Sequence, residues 1–264
     1  MRLDGKVVVV TGASMGIGEA IAAAFAHDGA TVILCSRDVS RAESARSRIG
    51  HAERTSAIAL DVTSRAQVDA AVQQISAKHE RIDVWVNNAG QGLYDAIELL
   101  DVASARAIFD TNYFGALDCM QAVIPVMRKQ KGGTIINISS IAGHISAPYS
   151  GAYCATKHAL NAVSNAARAE LKGSGVHILT VCPGMIATDF SANVKKGKDP
   201  RRIAGNAKVG ISAGEVARAT LDAYLAGKRE IVVPKKDKVA IWLYRLMPEF
   251  VEKKILERLK PVAQ

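Results

Sequence analysis

Short runs of Val, Ile and Leu recur along this chain, separated by longer segments whose apolar residues fall three and four apart. The runs Lys6–Thr11, Thr31–Cys35, Thr55–Leu60, Ile82–Val86, Thr134–Ile138, Val176–Val181 and Glu230–Val233 do not alternate between apolar and polar positions. A strand apolar on both sides is covered on both, as inside a parallel sheet. The longer segments predict helices over Gly16–His27, Val39–Ile49, Ser64–His79, Val102–Lys129, a stretch containing Tyr153 that ends near Leu171, and Ala213–Ala226. Strand and helix alternate throughout, which predicts an α/β fold: a doubly wound, mainly parallel seven-stranded sheet with helices on both faces. At 264 residues, without internal repeats, the chain reads as one domain. Residues 1–234 form its body and 235–264 a helical extension.

Ligands bind such sheets at the carboxyl ends of the strands, beside helix N-termini. The first strand meets its helix there through Thr11-Gly-Ala-Ser-Met-Gly-Ile-Gly18. Gly12 permits a tight turn, and Gly16 and Gly18 let backbone approach a pyrophosphate at the positive end of the helix. The spacing is G-x-x-x-G-x-G, not the commoner G-x-G-x-x-G. The second strand ends at Ser36-Arg37, where an acid would suit a free ribose 2′-hydroxyl and a cation suits a 2′-phosphate. A guanidinium holds phosphate through charge-assisted hydrogen bonds, so NADP(H) is favoured, with NAD(H) the weaker alternative. The plain alternative is a surface arginine in a loop. Asp38 complicates the reading, because a shift of register would bring an acid to the ribose.

Tyr153 and Lys157 are four apart, on one face of a helix, and Ser140 stands 13 residues before the tyrosine. A free phenol titrates near ~10, and a cation held beside it favours the phenolate. Phenol, ammonium and hydroxyl together can deliver a proton to a carbonyl oxygen. Taken alone, Tyr-x-x-x-Lys is a chance pairing on many helices.

Thr11–Gly18, Asn87-Asn88-Ala89-Gly90, Ser140 with Tyr153 and Lys157, and Pro183-Gly184 with Thr188, in that order, resemble the short-chain dehydrogenase/reductase family over about residues 3–233. The resemblance implies a Rossmann-type fold and a catalytic set of Asn112, Ser140, Tyr153 and Lys157. Tyr153 is then the general acid in reduction and the base in oxidation. Lys157 lowers its pKa and bonds the nicotinamide ribose, Ser140 orients the substrate oxygen, and Asn112 holds a water leading from Lys157 to solvent. Left to itself, an asparagine within a helix reads as solvent-facing or bonded to its own backbone. The implied cofactor contacts are Gly12, Ser14, Met15, Gly16, Ile17, Gly18, Ser36, Arg37, Asp61, Val62, Asn88, Ala89, Gly90, Tyr153, Lys157, Pro183, Gly184, Ile186 and Thr188. Asn87 ties loops of the sheet together. Family members that use NADP often carry a basic residue where this chain has Met15, so the NADP preference rests on Arg37.

Leu93, Ile145, Met185 and Phe190, with Ser140 and Tyr153, are the expected substrate contacts, which points to a hydrophobic carbonyl or alcohol. His144 is expected as a loop residue rather than a catalyst. The family places a variable substrate lid at about 189–212, and here it is rich in lysine and arginine. That leaves open a reductase of 3-oxoacyl thioesters on an acyl carrier or coenzyme A. Outside enzymes, the alternative is a catalytically silent NADP-binding regulator. Family members are commonly homodimers or homotetramers, and the same is expected here.

Charge changes one part of the picture. Residues 1–194 carry 17 basic and 17 acidic side chains, whereas 195–264 carry 17 against 8, so the whole excess of +9 lies in the last quarter. There Val251, Ile255, Leu256 and Leu259 form an apolar stripe opposite Glu252, Lys253, Glu257 and Lys260, after an apolar stretch around Trp242 and a break at Pro248. Packing on the body or on a second subunit, peripheral membrane contact and a solvated basic face are the readings; no motif points to nucleic acid. Four scattered cysteines and six histidines show no disulfide or metal-ligand spacing, so no metal site and a cytoplasmic location are expected.

Overall fold

The computed structural model describes residues 1–186, 194–203 and 210–261. Seven strands, β1 Val7–Thr11, β2 Thr31–Ser36, β3 Thr55–Ala59, β4 Val84–Asn87, β5 Gly133–Ile138, β6 Val176–Pro183 and β7 Glu230–Val233, form one sheet. Its order is β7-β6-β5-β4-β1-β2-β3 and every pairing is parallel. β1 shows why the apolar runs do not alternate: Val8 and Val10 face one core, and Val7 and Val9 the other.

On the first face lie α1 (Gly16–His27), α2 (Val39–Ile49) and α7 (Ala213–Leu225), which bury Ile21, Phe25, Ala42, Ala45, Val216 and Leu221. The second face is covered by α3 (Arg65–His79), α5 (Gly115–Lys129) and α6 (Gly151–Glu170), through Val68, Ile75, Met120, Val123 and Ala167. The chain reverses its direction of winding between β1 and β4, so a crevice opens at their carboxyl ends, where cofactors bind in open α/β sheets.

The long helix expected over Val102–Lys129 is interrupted. α4 (Val102–Phe109) passes through a π-helical turn, Asp110–Phe114, before α5 begins, and Asn112 lies in that turn. π-turns recur at functional sites because they re-aim side chains. Short pairings add to the edges: Leu93–Tyr94 runs parallel to Lys195–Lys196, and Arg201–Ile203 antiparallel to Leu259–Pro261.

The extension consists of α8 (Asp237–Leu246) and α9 (Pro248–Leu256). Leu259 and Lys260 are thus in a strand and not on the helical stripe expected of them, and Leu256 points outward at 53% exposure. No described helix is long and apolar enough to cross a membrane.

Candidate active site

At the end of β1 the chain turns at Gly12, whose φ is +62°. A Cβ there would lie 2.8 Å from the Ala89 Cα, so the loop after β4 presses directly on the turn. Thr11 fastens the two: its hydroxyl donates to the Val86 carbonyl (3.1 Å) and accepts from the amides of Asn88 (3.0 Å) and Ala89 (3.1 Å). The Asn88 side-chain amide returns to the carbonyls of Thr11 (2.9 Å) and Gly12 (3.0 Å). Gly18 must also lack a side chain, because its Cβ would collide with the Gly12 oxygen.

Beyond Gly16, whose φ is +60°, nothing lies within 4 Å of where a Cβ would be. α1 begins after Met15 with no side-chain cap, whereas Asp38, Ser64, Asp101 and Ser212 cap α2, α3, α4 and α7. Its first amides have no side-chain acceptor, and the approach to them past Gly16 is open. That is what a diphosphate needs at a helix N-terminus. The cradle fits a dinucleotide.

The corner after β2 gives Asp38 a structural role. Its carboxylate accepts from the amides of Ser40 (2.9 Å) and Arg41 (3.3 Å), so the acid is used as the cap of α2. Arg37 is exposed, and a second cation joins it: the Arg41 guanidinium reaches 3.2 Å from the Met15 sulfur, over the glycine turn. Arg41 escapes a motif search because it lies one helical turn beyond the loop. Arg48, paired with Glu19 (2.8 Å), also donates to the Ser14 carbonyl (3.2 Å) and braces the turn.

After β3, Asp61 accepts from the Thr63 amide (3.0 Å) and hydroxyl (2.8 Å). Val62 is buried, and both its side chain and its carbonyl oxygen lie against Gly115. A Cβ on Gly90 would come within 3.3 Å of Asn112 Oδ1 and 3.7 Å of Lys157 Nζ, so the cofactor loops adjoin the proposed catalytic set.

Four elements assemble that set. Ser140 follows β5 and opens a single 3₁₀ turn, Ile141–Gly143. Gly143 allows this turn to lie on α6, since its Cβ would be 2.8 Å from the Lys157 carbonyl. Ser140 is thereby brought beside the Tyr153 phenol, while its hydroxyl accepts from the Ala142 amide (3.1 Å) and donates to the Pro183 carbonyl (3.4 Å). Lys157 is buried, and its Nζ donates to the Ile138 carbonyl (2.9 Å) while lying 5.8 Å from the centre of the Tyr153 ring. Asn112, also buried, accepts from the Gln91 amide (2.8 Å) and donates to the Gln91 carbonyl (2.8 Å) and to Thr156 Oγ1 (3.0 Å). Its side chain therefore fixes the loop after β4 to α6. The buried neighbour Ser139 donates weakly to the Lys157 carbonyl at 3.5 Å.

Burial dominates the electrostatics. It pushes the Tyr153 phenol well above the usual tyrosine range, with the neighbouring Ser140 hydroxyl opposing it, and lowers the Lys157 ammonium to about 8. The expected lowering of the Tyr153 pKa by Lys157 is not what this arrangement produces; here the phenol is held protonated, as a proton donor must be.

β6 ends in Pro183-Gly184, and the Gly184 amide donates to the Val233 carbonyl (2.8 Å). The Asp237 carboxylate, from the first residue of α8, occupies the space a Gly184 side chain would need, and burial raises its pKa. Ile186 bridges to Ile211, and Met185 is 48% exposed. Thr188 and Phe190 lie outside the described residues. Leu93 is buried with Ile108 and Ala152 beneath Tyr153, and Ile145 is buried with Cys182, Val232 and Ile241. Both shape the site from below. His144, Cys182 and Glu230 bring donor atoms within 4.8 Å of one another, a convergence no sequence spacing shows. There His144 bonds Glu230, and burial pushes the Cys182 thiol up to about 12.

Comparison with known proteins bears on the family and the fold. Residues 6–199 match the family model for short chain dehydrogenases. Dehydrogenase/reductase SDR family member 7B of Danio rerio is 32% identical over 257 residues, covering 94% of this chain and 83% of that protein. A metagenomic short-chain oxidoreductase solved with NADP superposes with a TM-score of 0.73 at 31% identity, over 88% of this chain and 98% of that one. The 3-ketoacyl-(acyl-carrier-protein) reductase of Brucella melitensis, solved with NADH, gives 0.77 at 27% identity, with the same coverage.

Proposed function

The chain belongs to the short-chain dehydrogenase family of oxidoreductases, and from that premise we propose that it is an NADP(H)-dependent reductase of a hydrophobic ketone or aldehyde. The observation that carries the reading is the convergence of Ser140, Tyr153 and the buried Lys157, whose Nζ lies 5.8 Å from the Tyr153 ring, at the end of the sheet that also bears the uncapped α1. When bound, the nicotinamide supplies hydride to the carbonyl carbon. Gly16 and the first amides of α1 would receive the diphosphate, Arg37 and Arg41 the 2′-phosphate, and Lys157 and the Pro183-Gly184 turn the nicotinamide end. Ser140 donates a hydrogen bond to the substrate oxygen and stabilises charge there, and Tyr153 delivers the proton. Lys157 stabilises the phenolate left behind, and Asn112 holds the backbone past which that proton is replaced.

The second reading, a reductase of carrier-linked 3-oxoacyl thioesters, is favoured by the basic segment Lys195–Lys198 beside Tyr94, where a phosphate-bearing carrier would approach.

NADPH oxidation over a panel of ketones, aldehydes and 3-oxoacyl thioesters, with NADH and Tyr153→Phe alongside, tests both. Turnover that falls at least roughly a hundredfold in Tyr153→Phe, with NADPH affinity retained, is the expected result. Near-normal turnover in that variant would remove Tyr153 from its role. Tight NADPH binding without turnover across the panel would favour the silent regulator.

A further inference from the structure

α8 and α9 sort their apolar residues onto opposite faces. Ile241, with Ala240, Tyr244 and Ile255, packs into the cluster that contains Ile145, Cys182 and Val232. On the other side of α8, Val239, Trp242 and Leu246 follow at spacings of three and four and are 60%, 59% and 60% exposed. Met247 and Phe250, 52% and 48% exposed, carry the stripe across the break into α9. A contiguous apolar face of this kind marks an interaction surface.

Its rim is cationic. Lys235, Lys236, Lys238, Arg245 and Lys253 are all exposed. Of the acids nearby, Glu257 pairs with Lys254 (2.8 Å), Glu252 accepts from the Tyr244 hydroxyl (3.3 Å) and Asp237 lies against Gly184, which leaves the exposed Glu249 as one acid among five cations.

We propose that this face docks peripherally on an anionic lipid surface, with Trp242, Leu246 and Phe250 at the headgroup boundary and the lysines over the headgroups. A basic helix with an aromatic on its apolar face lies in the plane of such an interface, and tryptophan is favoured at that depth. A second copy of the chain would bring two cationic rims together, whereas anionic lipid neutralises them, which decides between the two occupants. Because α8 starts against Gly184 and covers Ile145, the docked face adjoins the candidate active site. A substrate dissolved in lipid would meet the site at the membrane surface. The docking itself is independent of the reductase reading, and binding alone tests it.

Of the two tryptophans in the chain, Trp85 is fully buried, so a vesicle-induced change in emission reports Trp242. The full chain is mixed with phosphatidylcholine vesicles, either plain or containing ~30% phosphatidylserine. Co-sedimentation and a blue shift are expected with the anionic vesicles. Both should weaken at least about tenfold with the plain ones, or in ~1 M salt. The double variant Trp242→Ser, Leu246→Ser should stay in the supernatant while melting like the parent. A triple change of Lys235, Lys236 and Lys238 to Gln should weaken anionic binding about a hundredfold with Trp242 intact. Full chain left in solution with unmoved emission overturns the proposal, as does equal binding to both vesicle types. A shift that follows protein concentration without vesicles, together with a sedimenting dimer, would assign the face to a second copy and also overturn it.

Discussion

The carboxyl edge of the sheet and the last two helices dispose of their side chains in opposite ways. At the edge, polar atoms are spent inward: Thr11, Asn88 and Asn112 all bond to backbone of a neighbouring loop. In α8 and α9, apolar side chains are spent outward, and Trp242 faces solvent one residue after Ile241 is buried. A dinucleotide cradle must hold position to within fractions of an ångström, so its loops lock one another. A surface for a soft, laterally mobile partner needs area and charge, and its helices need only one anchoring face.

The largest effect that sharpens this contrast is on stability. Ile241→Ala should cost about 2–5 kcal/mol by opening a cavity beneath Ile145 and Val232. Trp242→Ala, one residue on, should stay within about 0.5 kcal/mol, as exposed substitutions do. Denaturant midpoints for the pair measure it. Equal losses would mean that α8 buries both faces in solution, and the contrast between the two regions would fall.

Next in size is the cofactor corner. Arg37→Ala and Arg41→Ala should each weaken NADPH by about 1.5–3 kcal/mol, the range for a hydrogen bond to a charged group, and leave NADH nearly unchanged. Fluorescence titration with both cofactors checks this. NADPH unaffected by Arg41→Ala would leave Arg37 as the sole determinant, and a loss shared by both cofactors would indicate a disturbed α2.

What the sequence disclosed, and what it withheld, follows the same division. The central strands were readable because burial on both sides leaves a largely apolar run, as Val7–Val10 shows, whereas the edge strand Thr55–Ala59 is mostly half-buried and carries Thr and Ser. Gly12 and Gly18 were readable because close backbone approach tolerates one residue type only. Arg41 was not, because its nearness to Met15 depends on where α2 starts, and Asp38 sets that start. Asn112 kept its position but not its environment: the π-turn that points it at Gln91 leaves no periodic trace in 102–129. The final stripe misled because Leu259 matches helical spacing yet pairs with Ile203, and strand pairing is a long-range outcome that local pattern does not encode.

The smallest effect concerns protons at the edge itself. Lys157 is buried, and its ammonium is lowered to about 8, so it is charged below that pH and neutral above it. Tyr153 moves the other way and keeps its proton throughout the range in which Lys157 titrates. In reduction the phenol gives up its proton, and the phenolate formed is stabilised only while Lys157 remains a cation. Carbonyl reduction at saturating NADPH should therefore be level from about pH 6 to about pH 7.5, then fall by roughly tenfold per unit above about 8. The limb belongs to Lys157, because a tyrosine limb would lie far higher and the buried thiol of Cys182 sits at about 12. In Lys157→Arg, whose guanidinium stays charged, the limb should vanish even as the ill-fitting side chain lowers the plateau. A wild-type profile flat to about pH 10 would show that the charge of Lys157 is not used in the proton step, leaving its bond to Ile138 as its role.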